Sequence, residues 1–149
     1  MAGQHVEVGN RRLRLQAHQT GAASVERGQL LFTIDLDAGR VTREALDDRV
    51  GDFPRINDDR NGLPNRYGYV AWYAGGATEN GFDALVKYDL VTGASEEYVF
   101  PGCTVGEFSF APDPDGTAED DGWLVGFVHA PGGTASDLLL AVWRRIPLS

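Results

Sequence analysis

The chain is poor in cysteine, and this scarcity excludes several kinds of chemistry. Cys103 is the only cysteine among 149 residues. An internal disulfide and a cluster of thiolate metal ligands are therefore both excluded. A single thiol is typical of a reducing compartment. Cys103 follows a Pro-Gly turn, and we assign it no chemistry.

Long apolar runs are also absent from the sequence. Residues 1–19 lack the apolar centre of a signal peptide. No segment approaches the roughly 20 consecutive apolar residues of a membrane-spanning helix. We therefore expect a soluble, cytoplasmic protein.

Positive charge is scarce, which argues against a nucleic-acid partner. The chain has 13 Lys and Arg against 22 Asp and Glu, so its net charge is −9. Such a surface repels phosphate backbones, and no basic stripe interrupts it.

Apolar residues make up 42% of the chain, which indicates one globular domain. The 19 glycines and seven prolines indicate many tight turns.

A passage that occurs twice is the most informative feature that is present. Residues 30–56 and 84–111 each contain an apolar strand, an Asp-Leu pair, two residues, a Gly and a second strand, and then Val-Gly, an acidic residue and Phe. The Asp-Leu pairs lie 54 positions apart, and the acidic residues Asp52 and Glu107 lie 55 apart. A repeat of this length, made of short strands, predicts a propeller-like array of antiparallel sheets.

Alternating apolar and polar residues predict nine strands from residue 30 onward, with no helical segment. Residues 11–15 also alternate and are a further candidate strand. Grouped four to a blade, the nine strands give one complete blade, preceded by two strands and followed by three. The expected fold class is all-β, an antiparallel meander forming about two blades of an incomplete β-propeller. The nine strands are expected at about residues 30–36, 41–46, 52–57, 66–74, 83–90, 95–100, 106–111, 122–129 and 137–143.

Two combinations of motifs resemble a known family. The first is Asp52–Asn57 followed by Arg66–Tyr69 and Leu85–Leu90, and the second is Gly106–Phe108 followed by Ala118–Leu124. Each motif alone is weak, but their order and spacing are specific. Together they resemble the C-terminal third of the carotenoid cleavage oxygenases, a family that includes the lignostilbene dioxygenases and the retinal pigment epithelium isomerase.

This resemblance covers roughly residues 30–142 and implies a seven-bladed propeller with one non-haem Fe(II) on its axis. In that family four histidines bind the iron, and acidic residues hydrogen-bond some of those histidines. The reaction splits an alkene bond of a carotenoid, apocarotenoid or stilbene into two carbonyls with O₂. The resemblance therefore implies that the chain is a C-terminal fragment of an Fe(II)-dependent dioxygenase acting on an apolar polyene or stilbene.

The resemblance assigns two acidic residues a supporting role at the iron. Glu107 occupies the position of a family glutamate that orients a histidine ligand, and Asp52 occupies another, where it is one methylene shorter. The alternative is that each residue orients the start of a strand. No metal ligand is assigned within this chain, because His5 and His18 lie in the unmatched N-terminus and His129 lies where the family has no ligand.

The two ends of the chain depart from the family pattern. Residues 1–29 are left unassigned as a flexible N-terminal segment, residues 30–143 are assigned to the partial propeller, and residues 144–149 form a tail unlike the family. A frame change near residues 141–143 is one hypothesis for that tail.

Because most iron ligands are missing, we expect the chain alone to be inactive. The alternative function is a non-enzymatic β-module or relic that self-associates, or packs on a partner, through open sheet edges.

The remaining motifs are interpreted as structural. Residues 57–62 imitate the start of a calcium-binding loop, but position twelve is Gly68 where a Glu is required, so a solvated turn is favoured. Residues 113–116 and 119–122 predict Asx-type turns that lead into a strand. Seven aromatic residues are interpreted as packing between blades in preference to lining a polyene channel: Tyr67, Tyr69, Trp72, Tyr73, Phe82, Tyr88 and Trp123.

Overall fold

The structure, a computed structural model, describes residues 5–9, 12–18, 29–75, 81–131 and 136–141. These ranges form eleven strands and one 3₁₀ turn, which confirms the all-β prediction. They contain no helix with the length and hydropathy needed to cross a bilayer. The strands are β1 (His5–Gly9), β2 (Arg12–His18), β3 (Gln29–Asp35), β4 (Arg40–Asp47), β5 (Gly51–Arg55), β6 (Tyr67–Trp72), β7 (Ala84–Asp89), β8 (Ser95–Val99), β9 (Thr104–Pro112), β10 (Gly122–His129) and β11 (Ser136–Ala141), and the 3₁₀ turn is Asp58–Arg60.

The strands form three antiparallel sheets in strict chain order. The first sheet is β1-β2-β3-β4, the second is β5-β6-β7-β8, and the third is β9-β10-β11. Every neighbouring pair within a sheet is antiparallel, so each sheet is a meander. Successive four-stranded meanders that pack face to face are the blades of a β-propeller.

The first sheet is more complete than the sequence indicated. It has four strands, whereas two were predicted, because β1 and β2 lie in the segment that was left unassigned. The strand proposed at residues 11–15 corresponds to β2, and β1 pairs with it in a continuous register. Both strands alternate apolar and polar residues, but each is short and has few apolar residues, which weakens the periodic signal. The predicted tail, residues 144–149, lies outside the described residues.

The repeated Asp-Leu motif forms the same tight turn in both copies. The Asp35 carboxylate accepts hydrogen bonds from the N–H groups of residues 37 and 38 at 3.2 and 3.0 Å. Asp89 does the same for residues 91 and 92 at 3.0 and 3.2 Å. The turn ends at Gly39 and Gly93, whose φ angles of 58° and 74° favour glycine. Side-chain capping and a left-handed glycine therefore account for the spacing of this motif.

The main core lies between the second and third sheets. Its buried side chains come from both sheets, and the rings of Tyr69 and Phe110 stack across the interface with centroids 5.5 Å apart. Phe108 covers Gly126 of the neighbouring strand so closely that a Cβ there would lie 2.6 Å from the ring. The predicted packing role of Tyr69 is therefore confirmed. The cluster comprises Tyr69, Ala71, Leu85, Phe100, Val105, Phe108, Phe110 and Leu124.

The opposite face of the second sheet packs toward the first sheet. Val70, Val86 and Tyr88 form a buried cluster on that face. The Tyr88 hydroxyl donates to Asp47 at 2.9 Å, which ties β7 to the end of β4. Burial of this phenol raises the pKa of Tyr88 above its usual value, and the Asp47 carboxylate adds to the effect. The second sheet is therefore enclosed on both faces.

Truncating the centre of the main core should destabilise the fold. Leu85 is 1% exposed, so Leu85→Ala leaves a cavity and should lower the free energy of unfolding by about 2–5 kcal/mol. Val91 is 73% exposed, and Val91→Ala should change it by less than about 0.5 kcal/mol. Urea unfolding followed by tryptophan fluorescence measures both values. Equal, small effects would contradict the placement of this core.

Candidate functional site

The candidate site lies on the two strands that begin the second and third sheets. β5 and β9 are each the edge strand of their sheet, and they contact one another. In β5 the register shifts between Asp52 and Arg55. In β9 a matching shift leaves Gly106 and Glu107 together opposite Phe127. Both acidic residues proposed from the sequence therefore lie at a β-bulge, a feature that re-aims side chains and is common beside active sites.

Asp52 holds the bulge of β5 in place. Its carboxylate accepts a hydrogen bond from the N–H of Phe53 at 2.8 Å. Phe53 has a φ of 56°, the only non-glycine residue with a positive φ in the described part of the chain. A left-handed bulky residue costs roughly 1–3 kcal/mol and persists only where its surroundings fix it. The ring of Phe53 is held by an edge-to-face contact with the ring of Phe82, and the two ring centroids lie 5.8 Å apart.

Glu107 pairs with an arginine of the neighbouring sheet. Its Oε1 forms an ion pair with Nη2 of Arg55, and the two side chains are 47% and 29% exposed. This pair bridges β5 and β9 directly. A carboxylate has two oxygens and about four lone-pair sites, so one arginine nitrogen does not exhaust its capacity. The sequence reasoning identified Glu107 but not its partner.

The histidines do not approach either carboxylate in the part of the chain that the structure describes in full. Nδ1 of His129 lies 2.7 Å from the Ser136 hydroxyl, on the exposed end of β10. His5 begins β1 and His18 ends β2, and their backbones alone are described. In the structure, Glu107 therefore contacts Arg55 of the neighbouring sheet. Asp52 contacts the backbone of its own strand.

The described residues do not fit an iron site. Among them, no three His, Cys, Asp or Glu side chains converge in a way that could hold a metal ion. Nε of Arg55, next to Glu107, is buried without a hydrogen-bond partner. This atom is a hydrogen-bond donor, so it cannot bind a metal ion, which requires a lone pair from its ligand. No catalytic step through iron is therefore derived from this chain.

A second polar cluster, which sequence reasoning missed, joins the second and third sheets. It is supplied by the loop between β9 and β10, whose carboxylates reach back to the second sheet. Glu119 accepts hydrogen bonds from the N–H groups of Arg66 at 2.6 Å and Tyr67 at 2.8 Å, at the start of β6. The side-chain amide of Asn57 donates to the Glu119 carbonyl at 3.1 Å. The predicted turn at residues 119–122 is therefore also a contact between sheets.

The centre of this cluster is a buried ion pair. Nζ of Lys87 lies 2.6 Å from Asp120, and the two side chains are 9% and 17% exposed. The ammonium also lies 4.2 Å from the ring centroid of Tyr67, within cation–π range. Lys87 stands in the buried strand Ala84–Asp89, and a lysine in such a strand needs a partner. A lysine between buried residues of this strand was the sequence signal that could have revealed the cluster.

A bidentate ion pair closes the exposed side of the cluster. Nε and Nη2 of Arg66 donate to the two carboxylate oxygens of Asp89 at 3.0 and 2.6 Å. This hydrogen bond lowers the pKa of Asp89 and raises the pKa of Arg66. Burial, with the nearby Asp120 charge, raises the pKa of Tyr67. A polar cavity of about 270 Å³ lies over these residues, and the Arg66–Asp89 and Lys87–Asp120 pairs both form part of its lining.

The sheets and the bulged edge strands define a class of protein, a partial β-propeller. The profile of the family described as "RPE65: Retinal pigment epithelial membrane protein" matches residues 7–142. The chain belongs to this family, which includes the carotenoid cleavage oxygenases. The family resemblance inferred from the motifs is therefore confirmed. The match begins at residue 7, so it also covers most of residues 1–29, which the sequence analysis left unassigned.

Named relatives and solved structures agree with this assignment. The chain is 40% identical over 114 residues to a "Carotenoid cleavage oxygenase" of Mycobacterium tuberculosis, covering 73% of this chain and 23% of the relative. It is 32% identical over 123 residues to the "Apocarotenoid-15,15'-oxygenase" of Synechocystis, covering 81% and 25%. The fold matches cobalt-substituted Synechocystis ACO with a TM-score of 0.79 and 24% identity, covering 94% of this chain and 33% of that one. The chain thus spans about a quarter of the length of these curated relatives.

Removing the Asp120 carboxylate from the Lys87–Asp120 ion pair should lower the free energy of unfolding. Asp120→Ala leaves the Lys87 ammonium buried without its counter-ion, which costs about 3–5 kcal/mol in comparable sites. The double variant Lys87→Met/Asp120→Ala should recover much of that loss, because no unpaired charge remains. Urea unfolding of the wild type, both single variants and the double variant measures the coupling. Additive effects would contradict a direct interaction between the two side chains.

The Arg66–Asp89 pair should make stability depend on pH. Because the folded pKa of Asp89 is lowered from 3.8, its contribution is present above about pH 4 and is lost as the pH falls through the folded value. Asp89→Asn should therefore reduce the free energy of unfolding at pH 7 more than at pH 2.5. The difference should shrink in high salt, since the pair is exposed. Asp115→Asn, in an exposed loop, is the control, and an equal pH dependence for both variants would contradict the assignment.

Proposed function

We propose that this chain forms part of the propeller of an oxygenase that cleaves alkene bonds in carotenoid-type substrates. The observation that carries the proposal is the family match over residues 7–142 on three sheets of the same fold. The relatives' names refer to carotenoids, apocarotenoids, epoxycarotenoids and torulene. The proposed substrate class is therefore a long, apolar, conjugated polyene. In the intact propeller a non-haem Fe(II) would supply the oxygen chemistry.

The proposed role of Glu107 and Asp52 is to orient histidine ligands supplied by other parts of that propeller. Two observations support this role. Both residues lie at bulges of edge strands, and the Glu107 side chain is 47% exposed. The Arg55 ion pair fixes the Glu107 side chain while leaving lone pairs available for a second donor. Asp52 has the shorter side chain and already caps Phe53, so its contribution should be the smaller one.

The chain by itself is proposed to be inactive. Catalysis by a metal requires ligands held in a fixed geometry, and the described residues provide no such group. The chain should therefore retain no stoichiometric Fe(II) after anaerobic loading and desalting, as measured by elemental analysis. It should also form no carbonyl product from an apocarotenal in the presence of O₂. Turnover by the isolated chain would contradict this part of the proposal.

Activity should appear when residues 29–141 replace the matching segment of the Synechocystis oxygenase. In that chimera Glu107→Ala should lower iron retention or cleavage rate by roughly 10- to 100-fold, the usual effect of losing a residue that orients a metal ligand. Asp52→Ala should have a smaller effect, and Asp52→Glu should match or exceed the unmodified chimera. Asp115→Asn is the matched control. A folded chimera that retains iron and cleaves substrate at the same level with and without Glu107 would contradict the role given to Glu107.

A further inference from the structure

The loop between β5 and β6, residues 56–66, contains every asparagine in the described part of the chain. These are Asn57, Asn61 and Asn65. An asparagine side chain loses ammonia when the backbone nitrogen of the following residue attacks its Cγ. The reaction requires a mobile side chain, a free nitrogen at the next position and room for the two groups to meet. The three asparagines differ in how well they meet these requirements.

Asn57 is buried, and both polar atoms of its side chain are held. Its Nδ2 donates to the Glu119 carbonyl at 3.1 Å, and its Oδ1 accepts from the N–H of Asp59 at 3.1 Å. The residue is 8% exposed. Its side chain caps the 3₁₀ turn and must break both hydrogen bonds before it can turn toward the nitrogen of Asp58.

Asn65 is followed by a backbone nitrogen that is already engaged. The N–H of Arg66 donates to the Glu119 carboxylate at 2.6 Å. Attack on the Asn65 side chain would require this hydrogen bond to break. Glu119 therefore restrains both ends of the loop, through its carbonyl at Asn57 and through its carboxylate at Arg66.

Asn61 is exposed between these two restrained ends. Within the described residues, neither the Asn61 side chain nor the Gly62 N–H has a hydrogen-bond partner. Asn61, with φ −62° and ψ 123°, and Gly62, with φ 81°, are the central residues of a type II turn. Beyond its chain neighbours, a Cβ built on Gly62 would meet no atom within 4 Å, so the space around this nitrogen is open.

The turn must open before the two groups can react. At a ψ of 123° the Gly62 nitrogen is rotated away from the Asn61 side chain, and rotation about the Cα–C bond of Asn61 brings it to Cγ. This rotation breaks the turn hydrogen bond from the Leu63 N–H to the Arg60 carbonyl, which measures 2.9 Å. The contacts of both loop ends with Glu119 stay in place. A single hydrogen bond in an exposed turn contributes little to stability, so such local opening does not require unfolding.

We propose that Asn61 is a site of spontaneous deamidation in the folded protein. The Gly62 nitrogen forms a bond to Cγ of Asn61, the Cγ–Nδ2 bond breaks, and ammonia leaves with the proton from the Gly62 N–H. Water then opens the five-membered imide at either carbonyl, which gives aspartate or isoaspartate at position 61. One water is consumed and one ammonia is released, without any oxidant. This inference rests on the geometry of the loop and is independent of the proposed oxygenase function.

The modification changes both the charge and the backbone of the loop. Each conversion makes the net charge of −9 one unit more negative, in a loop that already carries Asp58 and Asp59. Isoaspartate also inserts a methylene into the backbone between Arg60 and Leu63, which should weaken their turn hydrogen bond. Asp59 and Arg60 line a cavity of about 460 Å³ together with the loop between β9 and β10. The added charge therefore lies next to this cavity.

Peptide mapping by mass spectrometry tests the proposal on the folded 149-residue chain. During incubation at mildly alkaline pH, the tryptic peptides that cover residues 56–66 should gain one mass unit, because an amide NH₂ is replaced by OH. Fragment ions should assign this gain to Asn61. The aspartate and isoaspartate forms separate by chromatography, and both should appear. The other Asn-Gly pair that includes a described residue, at positions 80 and 81, lies on the tryptic peptide 67–87 and is therefore measured separately.

Comparison with the unfolded chain separates the effect of the fold from that of the local sequence. Incubation in concentrated urea gives the intrinsic conversion rate of each asparagine. Folding should slow the conversion of Asn57 and Asn65 by a larger factor than that of Asn61. Equal protection of all three residues, or no conversion of Asn61 in the folded chain, would overturn the proposal.

Asn61→Gln is the diagnostic variant, because its longer side chain would have to close a less favourable six-membered ring. It should abolish the mass gain at position 61 and leave the urea midpoint unchanged, since the side chain is exposed. Asn65→Gln is the matched control in the same loop and should leave the conversion of Asn61 unchanged. A mass gain of the same size in residues 56–66 of Asn61→Gln would overturn the assignment.

Discussion

The second sheet of this chain is apolar on both faces, and the rest of the structure depends on this constraint. In the second sheet, Leu85 faces the third sheet while Val86, the next residue, faces the first. In an antiparallel sheet with one solvent-exposed face, polar residues occupy every second position of a strand. β7 lacks this pattern, because its first five residues are all buried. Such a sheet is stable only when other sheets cover both of its faces. The position of the second sheet between the first and the third follows from that requirement.

Polar contacts determine how the covered sheets are oriented. Burial of apolar surface is non-directional, so packing alone allows neighbouring sheets to slide. The Lys87–Asp120 pair and the Glu119 carboxylate fix the loop of the third sheet to defined positions on the second. The Arg55–Glu107 pair fixes the edge strands in the same way at the candidate site. The core and the site are therefore linked by contacts between the same two sheets.

Features that depend on local sequence were predictable, and contacts across sheets were not. The turns at Asp35 and Asp89 follow from a spacing that one segment contains, and most strands follow from alternation within a few residues. β1 was missed and β2 was predicted only in part, because their alternation is short and carried by few apolar residues. The ion pair of Arg55 and Glu107 joins residues 52 positions apart, and no local pattern specifies that distance. Glu107 was predictable as a site residue only through the family motif.

The acidic composition of the chain has a structural origin. Asp35, Asp89 and Asp113 accept hydrogen bonds from backbone N–H groups within three residues, and Asp121 does so for the two N–H groups at positions 117 and 118. Glu119 serves the start of β6 in the same way. Short strands joined by tight turns leave many N–H groups outside the ladders, and carboxylates satisfy them well. The charge of −9 therefore reflects the number of turns in a propeller-like meander and does not by itself indicate a cationic ligand.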